Sequence, residues 1–177
     1  MTDPMLLNYG NLIAQRIEKR DGTPIPNGTL AHASLLVEAM FRHASSAVRI
    51  LTGELNARVY GTPEVISRAQ EFLANSEHTL EIIFEGDFDD AELKRHPLLA
   101  SVNPSNVKLF RLNADLKSKV RAHFAIMDTD SYRFEADKLK PSAVAAFGDK
   151  SFARDLLNVF EGFKSHGSKQ ITNWGRA

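Results

Sequence analysis

Two hydrophobic periods alternate along the chain. Apolar residues recur at helical spacing in TLAHASLLVEAMFRHA, TPEVISRAQEFLA and KSFARDLLNVFEGFKSH, and a further helix is predicted from about Asp89 to Leu99. Short apolar runs in SAVRILTG, HTLEIIFEG, VKLFRLN and SAVAAFGD predict strands. Because strands and helices follow one another in turn, the pattern favours an α/β domain built in layers.

A β-hairpin is predicted at residues 121–137, RAHFAIMDTDSYRFEAD. Polar and apolar residues alternate on both sides of Thr129 and Asp130, which suit a turn. Residues two apart in a strand share a face, so His123, Ala125 and Met127 point the same way. The hairpin therefore adds an antiparallel element to the sheet and holds one histidine in a fixed position.

The two ends of the chain lack the alternation of strands and helices found in the middle. Residues 1–28 form an amphipathic arm followed by the turn-rich linker DGTPIPNG, residues 29–165 form the α/β domain, and the polar residues 166–177 form a flexible tail. We expect the arm to pack on the domain or on a partner protein, and Trp174 in the tail is a second candidate anchor for a partner.

Composition excludes several classes of site. The 177 residues hold 22 basic and 22 acidic side chains, so no overall field attracts nucleic acid or a membrane, and the absence of cysteine excludes thiol and cysteine–zinc chemistry. No apolar run is long enough to cross a bilayer, and the N-terminus does not resemble a signal peptide. We expect a cytoplasmic protein that binds no membrane, metal or cofactor.

The hairpin histidine belongs to a spacing that resembles a known motif. His123-Phe124-Ala125 is followed after four residues by Asp130, which resembles the H-x-K-x4-D signature of the phospholipase D superfamily. The β-α-β order of AVRILTGELNARVYGTPEVISRAQEFL and TLEIIFE is similar to the opening of that family's repeat, and AVAAFGDKSFARDLLNVFEGF is similar to its end. The resemblance covers about residues 30–165. It implies a phospholipase D-like layered domain with a mixed β-sheet flanked by helices.

Several groups that the family's chemistry requires are replaced here. In that family one histidine attacks phosphorus, a second protonates the leaving group, and lysine and asparagine hold the phosphate oxygens. In this sequence Ala125 stands at the lysine position, the G-S positions fall near Asp137 and Lys138, and the asparagine position falls near Pro141. The chain has one motif where the family needs two, so the resemblance implies a homodimer.

Other polar residues are candidates for binding. Lys108, Arg111, Lys117, Lys119 and Arg121 form a basic run leading into the hairpin, where they would frame an anion or a nucleic acid beside His123; a solvated surface is the alternative. On the hairpin, Arg133 adds a fork of donors or covers its exposed face. Ligands of open α/β sheets gather at the carboxyl ends of strands. Glu54, Asn56 and Arg58, which follow a predicted strand, are therefore pocket candidates, with a plain polar loop as the alternative.

These observations lead to three expectations of function. Losing one positioned donor costs about 10²–10³ in rate, so we expect His123 and Asp130 to be relics in a pseudoenzyme. On that interpretation the chain is a binding or assembly subunit, homodimeric, engaging a partner protein or nucleic acid, as in a bacterial defence or nucleic-acid-processing complex. The first alternative is a divergent phosphodiesterase or nuclease using His123 across a dimer interface. The second is a nucleotide or phosphometabolite sensor.

Overall fold

A computed structural model describes residues 3–138 and 142–174. The strands within these ranges are β1 (Ile25–Asn27), β2 (Ala47–Thr52), β3 (Thr79–Phe84), β4 (Val107–Leu112), β5 (His123–Met127), β6 (Ser131–Glu135), β7 (Ala143–Phe147) and β8 (Ser168–Ile171). The α-helices there are α1 (Pro4–Lys19), α2 (Leu30–His43), α3 (Ala57–Tyr60), α4 (Pro63–Leu73), α5 (Asp90–Arg95), α6 (Pro97–Ser101), α7 (Ala114–Lys117) and α8 (Lys150–His166), and a 3-10 turn spans Pro104–Asn106.

All these strands belong to one mixed sheet. Its order is β1-β7-β6-β5-β2-β3-β4-β8. Strands β2, β3 and β4 are parallel to one another, and the other neighbouring pairs are antiparallel. The carboxyl ends of β2, β3 and β4 therefore share an edge of the sheet with the start of β5 and the end of β6. The predicted mixed sheet and its hairpin are confirmed.

Helices cover both faces of the sheet. On one face, α1 to α6 enclose a large core that includes Leu36, Ile50 and Ile82. On the other face α8 packs on a smaller core through Leu156 and Phe160. The strands are apolar toward both layers because each face is buried, as expected for parallel strands with helices on both sides. The helical layer around α2 lies on the side to which His123 and Ala125 point.

Local sequence signals explain where the helices begin and end. The Thr29 and Thr62 side chains accept hydrogen bonds from backbone N–H groups in the first turns of α2 and α4. The helix predicted from Asp89 to Leu99 is divided into α5 and α6, because Pro97 supplies no N–H and keeps His96 in an extended conformation. The residues ARVY after β2 form the short helix α3 and do not extend the strand.

Both ends of the described chain join the sheet. The stretch expected to be a linker contains β1, which pairs with β7, and Tyr9 of α1 donates a hydrogen bond to the Pro26 carbonyl at 2.9 Å. In the expected flexible tail, Ser168–Ile171 form β8 against β4. Trp174 is 6% exposed within the larger core, so its ring serves this domain and is not presented to a partner.

Candidate functional site

A cleft of about 320 Å³ opens at the end of the sheet where the central strand β2 ends and β5 begins. Ligands of α/β sheets bind outside the carboxyl ends of parallel strands, and this cleft has that position. Its walls come from the end of β2, from α3, and from the hairpin strands β5 and β6. The residues lining it include Thr52, Gly53, Tyr60, His123, Arg133, Glu135 and Lys138.

His123 lies in this cleft between two glutamates. Its Nε2 is 2.9 Å from Glu85 Oε2, a hydrogen-bonding distance, and its Nδ1 is 3.8 Å from Glu135 Oε2. The side chain is 15% exposed. Glu85 directly follows β3, whereas Glu135 is the cross-strand partner of His123 in the hairpin. Both ring nitrogens therefore face a carboxylate.

Two cations complete the cluster, and each is paired with one of these glutamates. The Lys138 ammonium binds Glu85. Arg133 Nη2 lies 2.7 Å from Glu135 Oε1, and Arg133 Nε donates to the buried Asn27 side chain at 3.0 Å. Burial, the largest influence on Glu85, raises its pKa, but the contacts with Lys138 and His123 outweigh it and keep the pKa of Glu85 below its ordinary value.

The wall of the cleft is shaped by a glycine and a tyrosine. A Cβ on Gly53 would lie 3.0 Å from Cε1 of His123, so glycine allows the ring to pack against the backbone of the β2 end. Burial raises the pKa of Tyr60 to about 12, with the Arg133 charge opposing and the Glu135 charge adding to this shift. Tyr60 is therefore a protonated hydroxyl that can donate a hydrogen bond near neutral pH.

Asp130 does not share this cleft with His123. It lies at the turn of the hairpin, where Arg20 Nη2 binds it at 2.7 Å, while His123 is at the far end of β5. Four residue steps of strand from His123 to Met127 separate the two by about 13 Å or more. The predicted motif therefore divides into a cleft histidine and a carboxylate that holds α1 to the hairpin.

The basic run at 108–121 is divided among different surfaces. Strand alternation directs Lys108 toward the α8 side, where it lies 3.8 Å from Glu81, and Arg111 toward the opposite side. Lys117 binds Asp87 at 2.7 Å in a second cavity that Arg111 also lines. Lys119 and Arg121 are exposed. The predicted patch beside His123 is thus not assembled as one surface.

The remaining candidates differ in position. Arg133, Glu54 and Asn56 line the His123 cleft. The Asn56 side chain also accepts a hydrogen bond from the Arg58 backbone N–H at 2.9 Å, which starts α3. The Arg58 side chain is exposed and is not among the residues lining that cleft.

Sequence reasoning missed Glu85, Glu135 and Lys138. Glu85 follows the strand TLEIIF directly, so the rule that drew attention to Glu54 at the end of β2 applies to it equally. Period-two alternation also places Glu135 on the face of Arg133. Lys138 lies near the G-S position of the motif, where the resemblance implies a replaced phosphate-binding group, and it is a cation of the cluster. The expected asparagine position at Pro141 lies outside the described residues.

The charged groups of the cleft are paired with one another. Within residues 3–138 and 142–174, no three His, Asp or Glu side chains are grouped to hold a metal ion. Lys138 pairs with Oε1 of Glu85, and Arg133 pairs with Oε1 of Glu135.

Residues 29–171 match the model of a protein family described as "Domain of unknown function (DUF7931)". The chain belongs to this family. No curated protein matches the chain in sequence. In the described part of this family member, every helix is too short or too polar to cross a membrane.

Solved structures similar to this DUF7931 member establish its fold class. NucT from Helicobacter pylori has a TM-score of 0.56 and 11% identity, covering 83% of this chain and 98% of NucT. Phosphatidylserine synthase from Haemophilus influenzae Rd KW20 has a TM-score of 0.54, with 84% of this chain and 39% of the synthase covered. TrmBL2, described as an archaeal chromatin protein with a novel mode of DNA binding, has a TM-score of 0.57 and 11% identity, with 91% of this chain and 60% of TrmBL2 covered. The first two have the phospholipase D-like fold, so the predicted fold class is confirmed.

Proposed function

We propose that this protein is a non-catalytic phospholipase D-like subunit that binds a macromolecular partner and does not turn over a phosphodiester. One observation carries the proposal: both cations of the His123 cleft are paired with glutamates that also face the histidine. Phosphoryl transfer depends on positioned positive charge that stabilises the transferring group. In this cleft that charge is compensated internally.

The charge balance of the cluster supports the same conclusion. Lys138 and Arg133 contribute two positive charges, and Glu85 and Glu135 contribute two negative charges that balance them. An incoming phosphodiester carries its own negative charge and would meet two carboxylates near the histidine. The lysine of the family motif is replaced by Ala125, which is 1% exposed in the core. The cluster is therefore suited to holding β3, the hairpin and the segment at Lys138 together.

A binding or assembly role leaves other surfaces for a partner. The single motif and the dimeric architecture of the resembling family support a homodimer, with nucleic acid or another protein as the further partner. Lys119 and Arg121 are exposed basic residues just ahead of β5, and in the described part of the chain they are the members of the 108–121 run best placed to reach such a partner.

The experiment is a hydrolysis assay with a matched histidine control. Wild type, His123→Ala and His166→Ala are incubated with bis(p-nitrophenyl) phosphate and with single- and double-stranded DNA. His166 is an exposed histidine in the last turn of α8, so its substitution controls for the loss of an imidazole. We expect no turnover above background in any of the three. Turnover that is present in wild type and His166→Ala but absent in His123→Ala would show that the protein is an enzyme.

Partner binding is measured separately. Light scattering after size exclusion tests the homodimer, and fluorescence polarisation with labelled DNA tests nucleic acid. Lys119→Gln/Arg121→Gln is expected to weaken any DNA binding, whereas Lys19→Gln, which removes a basic residue from the last turn of α1, is expected to have little effect. A monomer that binds no DNA would contradict both of these partners and leave a protein partner.

A divergent phosphodiesterase is the second candidate, and a specific contact favours it. Arg133 is the cross-strand partner of Ala125, so its side chain leaves the sheet on the same face, next to the position where the family motif has lysine. Nδ1 of His123 is also too far from Glu135, at 3.8 Å, for a hydrogen bond. In this role Glu85 would orient the ring through its contact with Nε2, and Nδ1 would face the substrate. Loss of turnover in both His123→Ala and Glu85→Gln would support this candidate.

A further inference from the structure

A second cavity, of about 550 Å³, lies at the carboxyl end of β4. It is separated from the His123 cleft in the sheet by β3, since β4 is two strands away from β2. Its lining includes Arg111, Lys117 and Lys169, the amide side chains of Asn113 and Asn173, and the carboxylates Asp87 and Asp90. A volume of this size is within the range of small-molecule sites, about 300–1,000 Å³.

Arg111 and Lys169 face each other directly across the β4–β8 ladder. They are register partners in this antiparallel pair, so their Cβ atoms are about 5 Å apart on the same face. Like charges in this arrangement destabilise a sheet. The wall of the cavity thus contains an electrostatic cost that packing of the fold does not require.

Neither of these two charges is neutralised by a carboxylate. Arg111 Nη2 donates to the backbone carbonyl of Phe88, which is a neutral acceptor. Over the described ranges, neither Arg111 nor Lys169 has an Asp or Glu oxygen within ion-pair distance. Both cations line the cavity, where an anion would relieve their mutual repulsion.

Lys117 and the two aspartates set the remaining charge. Lys117 binds Asp87 at 2.7 Å, and the Asp87 side chain is 82% exposed, so it can turn away from the cavity. The hydrogen bond from Lys117 is the largest cause that lowers the pKa of Asp87, and the charge of Arg111 lowers this pKa further. The electrostatic field of Arg111 therefore reaches this carboxylate. Three cations against Asp87 and Asp90 leave the lining with one net positive charge.

We propose that this cavity binds a small phosphomonoester, with Arg111 and Lys169 holding the phosphate group. A phosphomonoester carries about −1.5 to −2 charge at pH 7, which matches two cations without carboxylate partners better than the single charge of a carboxylate or a phosphodiester. A guanidinium offers two parallel donors to such a group. The Asn113 and Asn173 amides supply donors and acceptors for hydroxyl groups on the rest of the ligand. This site is independent of His123 and of the proposed function.

The test is ligand-induced thermal stabilisation followed by calorimetry. The probes are adenosine 5′-monophosphate, glucose 6-phosphate and inorganic phosphate, with adenosine as the uncharged comparison. Wild type is expected to be stabilised by the phosphate-bearing probes and not by adenosine. Arg111→Gln and Lys169→Gln are each expected to weaken binding by about tenfold or more, since each removes a charge-assisted hydrogen bond to the phosphate. Arg154→Gln, which removes an exposed charge from α8 on the other face of the sheet, is expected to bind as wild type does.

Charge reversal at Lys169 keeps the test independent of folding defects. Lys169→Glu places a carboxylate opposite Arg111, so the variant without ligand is expected to melt at a higher temperature than wild type while losing all phosphate-dependent stabilisation. If inorganic phosphate stabilises the protein as much as the esters do, the site binds free phosphate. If only the esters stabilise the protein, the organic part of the ligand contributes to binding. No stabilisation at millimolar concentration, or equal stabilisation in Lys169→Glu and wild type, would overturn the proposal.

Discussion

Arg133→Met tests how strongly the His123 cleft depends on its internal ion pairs. The Arg133 residue is 6% exposed, and its guanidinium contacts Glu135 at 2.7 Å and Asn27 at 3.0 Å. Methionine keeps much of the side-chain volume and removes the charge. The substitution therefore removes the ion-pair partner of Glu135 Oε1 and the donor to the side-chain oxygen of Asn27, which is 1% exposed.

The size of the effect follows from burial. Breaking a buried ion pair by removing one partner costs about 3–5 kcal/mol, because the other charge stays buried and uncompensated. Glu135 is 23% exposed, so water can reach it, and we expect a loss near the lower value, about 3 kcal/mol. For a domain of this size about 1 kcal/mol shifts the melting temperature by about 2–4 °C. The expected decrease is thus about 6–12 °C.

A double-substitution cycle identifies the cause. In Arg133→Met/Glu135→Gln no charge is left uncompensated, so its loss should be smaller than the sum of the two single losses by at least about 1 kcal/mol. Unfolding is followed in urea by the fluorescence of Trp174, the single tryptophan of the chain, and by circular dichroism. Arg154→Met, at an exposed position of α8, is the control. A loss below about 1 kcal/mol for Arg133→Met, or additive single losses, would refute the reasoning.

Three further substitutions test other features of the fold. Gly148→Ala should destabilise the protein by more than about 2 kcal/mol, since φ is +89° and a Cβ would lie 2.1 Å from the Arg20 carbonyl oxygen. The control is Gly162→Ala, which has open space in α8 and should be neutral or stabilising. Equal melting temperatures of the two variants would contradict this prediction. The Asp128 carboxylate accepts hydrogen bonds from three backbone N–H groups at the start of β2 and has φ of 55°. Asp128→Ala should therefore lose about 2–4 kcal/mol in urea denaturation and Asp128→Gly clearly less, because glycine accepts that φ; identical losses would contradict the backbone contribution. Burial lowers the pKa of His96 below its ordinary value of 6.5, so the unfolded chain binds more protons and stability should fall as pH decreases below 6.5. His96→Asn should reduce that dependence in urea titrations above and below this pH, and an unchanged slope would contradict it.

The order of elements could be predicted from the sequence because the hydrophobic periods are local. A pattern of a few residues is enough to predict the strands at SAVRILTG and TLEIIF and the helix at PEVISRAQEFL. The edge strands β1 and β8 could not be found in this way. They are short, partly polar stretches, IPN and SKQI, and they become strands through pairing with β7 and β4 far away in sequence.

The candidate site was predictable only in part, for a similar reason. Period-two alternation places His123 and Arg133 on one face, and this is visible in the sequence. The contact with Glu85 depends on β5 lying beside β2 and β2 beside β3, which no local pattern states. A motif spacing also directs attention to Asp130, whereas the neighbouring Asp128 is the carboxylate that joins the hairpin to the start of β2.

The placement of the first and last strands at opposite edges of the sheet has a consequence for synthesis on the ribosome. The central strands β2 to β5 follow one another along the chain, so they can pair while later residues are still being added. Strand β1 emerges first but must wait for β7, more than a hundred residues later. Closing so large a loop is entropically costly and slow. We therefore expect α1 and β1 to dock late, after the hairpin has formed, and the nascent chain to expose an unpaired β-sheet edge on each side until β1 and β8 have paired.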